Sequence, residues 1–401
     1  MSATTTTPPT IPKFVPAEPT KEQLDWIELV NVDFAKYDDP VTRKALAQDL
    51  LKAVTEHGFL TISNHGISDA LYESQMSLAH AVMTLPPEDK RPYEATPEED
   101  ASGLYVGFKP SDERGAQGGF HKTLDHYNIL VHDPQHHKHP AILEPHMHEV
   151  NQTMHIIREI VLKRLLVLVA MILEVPEEDI LRTHAFGKES TEYLRYVQHL
   201  AICPPALGLT SRQMIYNPRT DEDNQRYRDL YLAGHTDWGT FTFLFSQPIS
   251  ALQILDCHGN WKWVQYLPNA LVVNVGEALE LLTGGFFKAT VHRVVKPPAD
   301  QVAKKRVGVI YFARPVNEVP LRPVDSPLLR RVGRDRPLDP AVYTMPEYLN
   351  ARKHGYKRLD FDNDRPRQQG VHEDPFHGEY NDPRGFKALG KETLQPSGVA
   401  V

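Results

Sequence analysis

GHTDWGTFTFLF, residues 234–245, joins two patterns of different kind. Its first half holds His235 and Asp237, two metal-ligating side chains at i and i+2. In an extended segment residues two apart point the same way, so both can reach one ion. Its second half, Thr240 to Phe245, partly alternates polar and apolar residues as a half-buried strand does. A third ligand must come from another strand, and His292 follows after a long loop-back. Two imidazoles and one carboxylate on one face of an octahedral ion leave three positions open, the ligand set of non-haem iron(II) sites that activate dioxygen. The short motif alone carries little weight, since with 20 histidines in 401 residues about one His-x-Asp arises by chance. Its surroundings decide.

Downstream of the motif the chain reads LQILDCHGNWKWV at 252–264, PNALVVNVGEALELLTGGFFKATVHRVV at 268–295 and RVGVIYFARP at 306–315. Upstream lie EHGFLTISNHGI at 56–67 and LPPEDK at 85–90. Together these ordered blocks resemble the iron(II)- and 2-oxoglutarate-dependent oxygenase superfamily, in the branch of isopenicillin N synthase and the plant-type small-molecule dioxygenases. The resemblance implies a mainly β protein with flanking helices: a double-stranded β-helix, or jelly roll, backed by N-terminal and central helices. It implies His235, Asp237 and His292 as iron ligands, with 2-oxoglutarate and O2 as cosubstrates and ascorbate as an accessory reductant. It places the far carboxylate of 2-oxoglutarate on Arg306, whose planar guanidinium gives a bidentate match. The competing reading of Arg306 is the end of a solvated Lys304-Lys305-Arg306 turn.

Two departures from the family pattern bear on the cosubstrate. Many relatives carry Ser two residues after this arginine, on the same strand face, where this chain has Gly308. Relatives also carry Tyr on the strand before the His-x-Asp motif, where His199 stands here. Neither touches the iron. By the same resemblance Tyr105, Phe312 and Arg314 are candidate substrate-facing residues. The competing reading is core packing for Phe312 and a surface salt bridge for Arg314. Asn274-Val275-Gly276-Glu277 and Gly284-Gly285 read as structural, positioning a helix and its C-terminus before the second histidine.

Composition narrows the alternatives. A net charge of −8 with no basic stripe disfavours nucleic-acid binding. Two cysteines, Cys203 and Cys257, form no CxxC pair and fit a reducing cytoplasm. The N-terminus lacks an apolar run of the secretory kind, and the most apolar stretch, Leu165 to Leu173, is too short to span a bilayer. The expected organisation is an unstructured N-terminal segment over 1–20 and an N-terminal helix and strand region over 21–145. A long amphipathic helix backing the sheet follows over 146–190, then the catalytic jelly roll over 191–320. A C-terminal extension over 321–358 carries a helix opened by the capping-box pattern Thr344-x-x-Glu347, and 359–401 reads as a polar tail. The expected activity is hydroxylation or desaturation of a small organic molecule, a secondary metabolite by the branch's habit, with release of succinate and CO2. Two alternatives stand beside it: an iron(II) oxidase that uses no 2-oxoglutarate, and a non-catalytic binding protein on this fold. The sequence does not indicate an oligomeric state, and no membrane partner is expected.

Overall fold

The computed structural model describes residues 11–102, 106–109, 124–185, 187–199, 229–338 and 341–352. Two sheets face one another. The larger has eight strands in the order β1 (Asn31–Asp33), β2 (Phe59–Ser63), β10 (Leu271–Val275), β7 (Phe241–Phe245), β12 (Arg306–Phe312), β5 (Tyr193–His199), β4 (Leu124–Leu130) and β3 (Gly107–Lys109). The smaller has four, in the order β6 (Leu230–His235), β11 (His292–Val295), β8 (Leu252–Leu255) and β9 (Trp261–Trp263). The strands of the 193–312 region pass back and forth between the sheets, except that β8 and β9 form a hairpin within the smaller one. This is the double-stranded β-helix.

Strand alternation separates two cores. On the larger sheet Phe241, Phe243, Phe245, Val307, Val309 and Tyr311 face the helices and are fully buried there. The opposite face turns Leu244 and Val272 towards Leu252 and Ile254 of the smaller sheet, with Phe59 and Val264 completing an inter-sheet core. By the same alternation Arg306, Gly308, Ile310 and Phe312 lie on the inner face of β12. A slip of one residue would turn every one of them outwards.

Helix α1 (Pro40–Glu56) begins at Asp39, whose carboxylate accepts from the Val41 and Thr42 amides at 2.7 and 3.0 Å, with Pro40 at the first helical position. It stops at Gly58, which has φ +64°. A Cβ there would sit 2.2 Å from Thr290 Oγ1 and 2.7 Å from the Lys288 carbonyl, so this corner is pressed against the segment that leads into His292. Helix α2 (Asp69–Met83) is capped by Ser68, which accepts from Leu71 N at 3.3 Å, and packs on β4, β5 and β12. Helix α3 runs through Met147–His155, a π-type stretch Ile156–Leu162 and Lys163–Leu173. Glu174 ends it in the left-handed region at φ 57°.

Two expectations change. The last part of α3 is not amphipathic: from Leu165 to Leu173 every residue but Met171 is buried. A helix apolar all round belongs inside the protein. Here α3 packs on α1 and α2, and those two carry most of the helix–sheet contact. Residues 11–20, expected to be unstructured, are placed. Phe14 packs against the core and donates its amide to Ser77 Oγ at 3.0 Å, and the Gln301 side chain donates to the Glu18 carbonyl at 2.9 Å. A segment without periodicity cannot order itself, and composition does not register the surface on which it docks. The residues of the expected tail, 359–401, lie outside the described ones. Among the described residues no helix is long and apolar enough to cross a membrane.

Candidate metal centre

His235 ends β6 and His292 begins β11, and the two are directly paired across the smaller sheet. Their rings lie 4.3 Å apart between centroids. Asp237 sits two residues past the end of β6, in the crossing to β7, with its carboxylate oxygens 3.9 Å from each histidine Nε2. One donor atom from each of the three side chains lies within 4.8 Å of the others, and no other such group of His, Cys, Asp or Glu occurs among the described residues. The turn that brings Asp237 round is tight. A Cβ on Gly276 would lie 2.3 Å from the Gly239 carbonyl, while the Glu277 amide donates to the Asp237 carbonyl at 2.8 Å.

The donor chemistry fits a divalent ion. His292 Nδ1 lies 3.2 Å from the Thr290 carbonyl. As that carbonyl can only accept, Nδ1 carries the proton and Nε2 keeps its lone pair facing Asp237. Burial and the neighbouring His235 push the His292 imidazole down to about 4, against the pull of Asp237, so it is neutral at ordinary pH, as a ligand must be. For Asp237 burial favours the protonated form, but His292, His235 and the Asn274 amide outweigh it and hold the carboxyl below its usual range. Asn274 Nδ2 donates to Asp237 Oδ2 at 2.9 Å. The sequence pattern marks this asparagine only as structural, and the structure adds its contact with Asp237. Its signal was a polar residue in the middle of the apolar run Leu271–Val275, all of it buried. Loss of a ligand's hydrogen-bond partner costs roughly 10–100-fold in metal affinity. Asn274→Ala is therefore expected to weaken iron(II) binding by about that factor while leaving the fold intact, which competition with a metallochromic chelator would measure.

Behind the ligand turn lies a network that the sequence did not reveal. Thr236, between the two ligands, donates its hydroxyl to Glu277 Oε1 at 2.5 Å. Glu277 is only 1% exposed. It also accepts from Tyr348 Oη at 2.5 Å and Arg352 Nη2 at 2.7 Å. Tyr348 and Arg352 belong to the C-terminal helical turns over 345–352, whose start is fixed by Glu347 accepting from the Thr344 amide at 2.8 Å.

Arg306 begins β12, 6% exposed, and its backbone pairs with that of His199 across β5. Burial lowers its guanidinium to about 10, which leaves it a cation at neutral pH. It is therefore no part of a solvated turn. Phe312, also on the inner face, stacks on Tyr193 at 4.6 Å with a 24° tilt. Arg195 lies over both rings at 5.1 Å and is oriented by a 2.8 Å hydrogen bond to Asn128 Oδ1. Arg314 is buried, donates to the Thr191 carbonyl at 2.9 Å and lies over Tyr193, so it does not stand at the surface as the competing reading has it. Tyr105 and the His199 side chain lie outside the described residues.

With this geometry in view, comparisons with known proteins agree on one family. Residues 198–315 match the 2OG-Fe(II) oxygenase superfamily, and residues 29–155 match the N-terminal region described as non-haem dioxygenase in morphine synthesis. Flavanone 3-dioxygenase 3 of Oryza sativa subsp. japonica is 27% identical over 278 residues, 68% of this chain and 74% of that one. The 2-oxoglutarate-dependent dioxygenase citB of Monascus ruber is 28% identical over 321 residues, 76% of this chain and 88% of that one. Thebaine 6-O-demethylase of Papaver somniferum is 26% identical over 309 residues, 75% and 74% of the two chains. Among solved structures, full-length Neurospora crassa T7H in complex with alpha-KG superposes with a TM-score of 0.68 at 18% identity, covering 84% of this chain and 99% of that one. At that identity the likeness speaks for the fold.

Proposed function

The chain belongs to the 2OG-Fe(II) oxygenase superfamily, and on that premise we propose that it oxidises a small free organic metabolite at an iron centre held by His235, Asp237 and His292. It is a 2-oxoglutarate-dependent dioxygenase, an oxidoreductase. When bound, iron(II) and 2-oxoglutarate supply dioxygen activation coupled to oxidative decarboxylation, with succinate and carbon dioxide as by-products. The protein's own part is positional. His292 keeps Nε2 free by donating Nδ1–H to Thr290, and Asn274 fixes one oxygen of Asp237. Arg306 offers a buried guanidinium to the far carboxylate of the cosubstrate, and His199 is its neighbour on β5.

The observation that carries the reading is the meeting of His235, Asp237 and His292 at one point of a sandwich whose inner face also holds the Arg306 cation. The stacked pair Phe312 and Tyr193, with Arg195 above it, offers a flat apolar wall beside a positive charge. That wall favours hydroxylation or desaturation of an aromatic or conjugated metabolite. The relatives named for a flavanone and for thebaine point the same way. Two cysteines without pairing chemistry, Cys257 being free and exposed, support a cytoplasmic setting.

The test is an anaerobic titration of the iron(II)-loaded protein with 2-oxoglutarate, following the visible charge-transfer band of the chelate. A saturable band is expected. It should vanish in His235→Ala and weaken in Arg306→Ala by roughly 2 kcal/mol or more, the cost of losing one partner of a buried charged pair. Iron binding without a band would end the 2-oxoglutarate reading and leave Arg306 as a substrate anchor.

A further inference from the structure

We propose that Gln247 is a cosubstrate-binding residue whose side-chain amide donates a hydrogen bond to the distal carboxylate of 2-oxoglutarate, beside Gly308 and alongside Arg306. This rests on the functional reading above. Gln247 lies two residues beyond β7, the strand next to β12. Its Nε2 is buried, and among the described residues no acceptor meets it. A buried donor left unsatisfied is costly, so one retained in a folded protein calls for a ligand that completes it.

Its position says which ligand. A Cβ built on Gly308 would lie 3.1 Å from Gln247 Nε2 and 3.0 Å from Val197 Cγ1. The amide therefore fills the space that a side chain at 308 would take. Gly308 stands two residues from Arg306 on the same inner face of β12. Its backbone is not in the left-handed region, so conformation does not require glycine here; the room taken by Gln247 and Val197 favours it. The donor that relatives supply as a serine hydroxyl from β12 comes here from a longer side chain rooted beyond β7. A neutral donor over the strand face that also carries a buried guanidinium suits a carboxylate, which accepts from both.

The titration above, run on Gln247→Ala, Gln247→Glu and the double variant Gln247→Ala/Gly308→Ser, tests the idea. Each is titrated with 2-oxoglutarate and, in parallel, with 2-oxopentanoate, which chelates iron equally but ends in a methyl group. Gln247→Ala is expected to raise the Kd for 2-oxoglutarate about tenfold, the loss of one charge-assisted hydrogen bond, and to leave the Kd for 2-oxopentanoate within about twofold. Gln247→Glu should lose more, since it sets an anion against the carboxylate. The double variant should recover part of the affinity, because serine brings the hydroxyl into the space Gln247 leaves, with Val197 Cγ1 shifting by a few tenths of an ångström. Equal loss for both oxo acids would mean a packing role and overturn the proposal, as would no loss for either. No band from the wild-type protein would overturn the functional reading as well, so the two failures are distinguishable.

Discussion

Asp237→Ala leaves a folded protein that no longer holds iron(II) and no longer turns over. Asp237 is the sole anion of the metal-binding group, and its two oxygens stand equally far from His235 and His292. Removing it leaves two neutral imidazoles to hold a doubly charged ion in a buried site, without the carboxylate that offsets part of that charge. The loss should exceed the roughly 10–100-fold cost of deleting a ligand's hydrogen-bond partner, reaching about 10³-fold or more in iron affinity. The fold itself should survive, since burial already works against this carboxylate. Equilibrium dialysis against iron(II), with circular dichroism as the folding control, measures both halves. Retention of iron within tenfold of wild type would place the metal elsewhere.

The second large effect is on stability. Glu277→Ala is expected to cost about 3–5 kcal/mol, the usual result of deleting one member of a buried charged pair. Glu277 and Arg352 are 1% and 7% exposed in their side chains, 2.7 Å apart. The same carboxylate also holds the hydroxyls of Thr236 and Tyr348. Without it, a guanidinium and two hydroxyls lose an acceptor at once. Because Thr236 lies between His235 and Asp237, iron affinity should fall too. Urea denaturation of the apo protein would give the stability term, and iron titration of the still-folded fraction the other. Glu277→Gln keeps the acceptor oxygen but not the charge, so it should lie between wild type and alanine. A shift below about 1 kcal/mol for Glu277→Ala would mean that the 345–352 helix is not anchored through this residue.

Much of the site was readable because its chemistry is local in sequence. His235 and Asp237 need only an extended segment to share an ion, and His292 needs only a strand that returns beside the first. Residues whose roles depend on contacts between distant segments were not legible. Asn274 meets Asp237 across 37 positions, and Arg352 meets Glu277 across 75. Neither has a spacing rule. The order of residues 11–20 is equally invisible locally, as it comes from contacts with Ser77 and Gln301. In helix α3 charged and polar residues over 147–164 give the pattern of one apolar face, while the all-apolar end that follows is buried among other helices.

The candidate ligand types, the strand periodicity that points them inwards and the arginine that opens β12 are all visible in the amino-acid order alone. These follow from side-chain chemistry and the two-residue repeat of a strand. Three features emerge only on folding: Gln247 fills space beside Gly308, Phe312 stacks on Tyr193 rather than joining the helix-side core, and a C-terminal helix closes on the back of the Asp237 turn. Each of those depends on how strands pair and where a side chain finds room, and no local pattern encodes either.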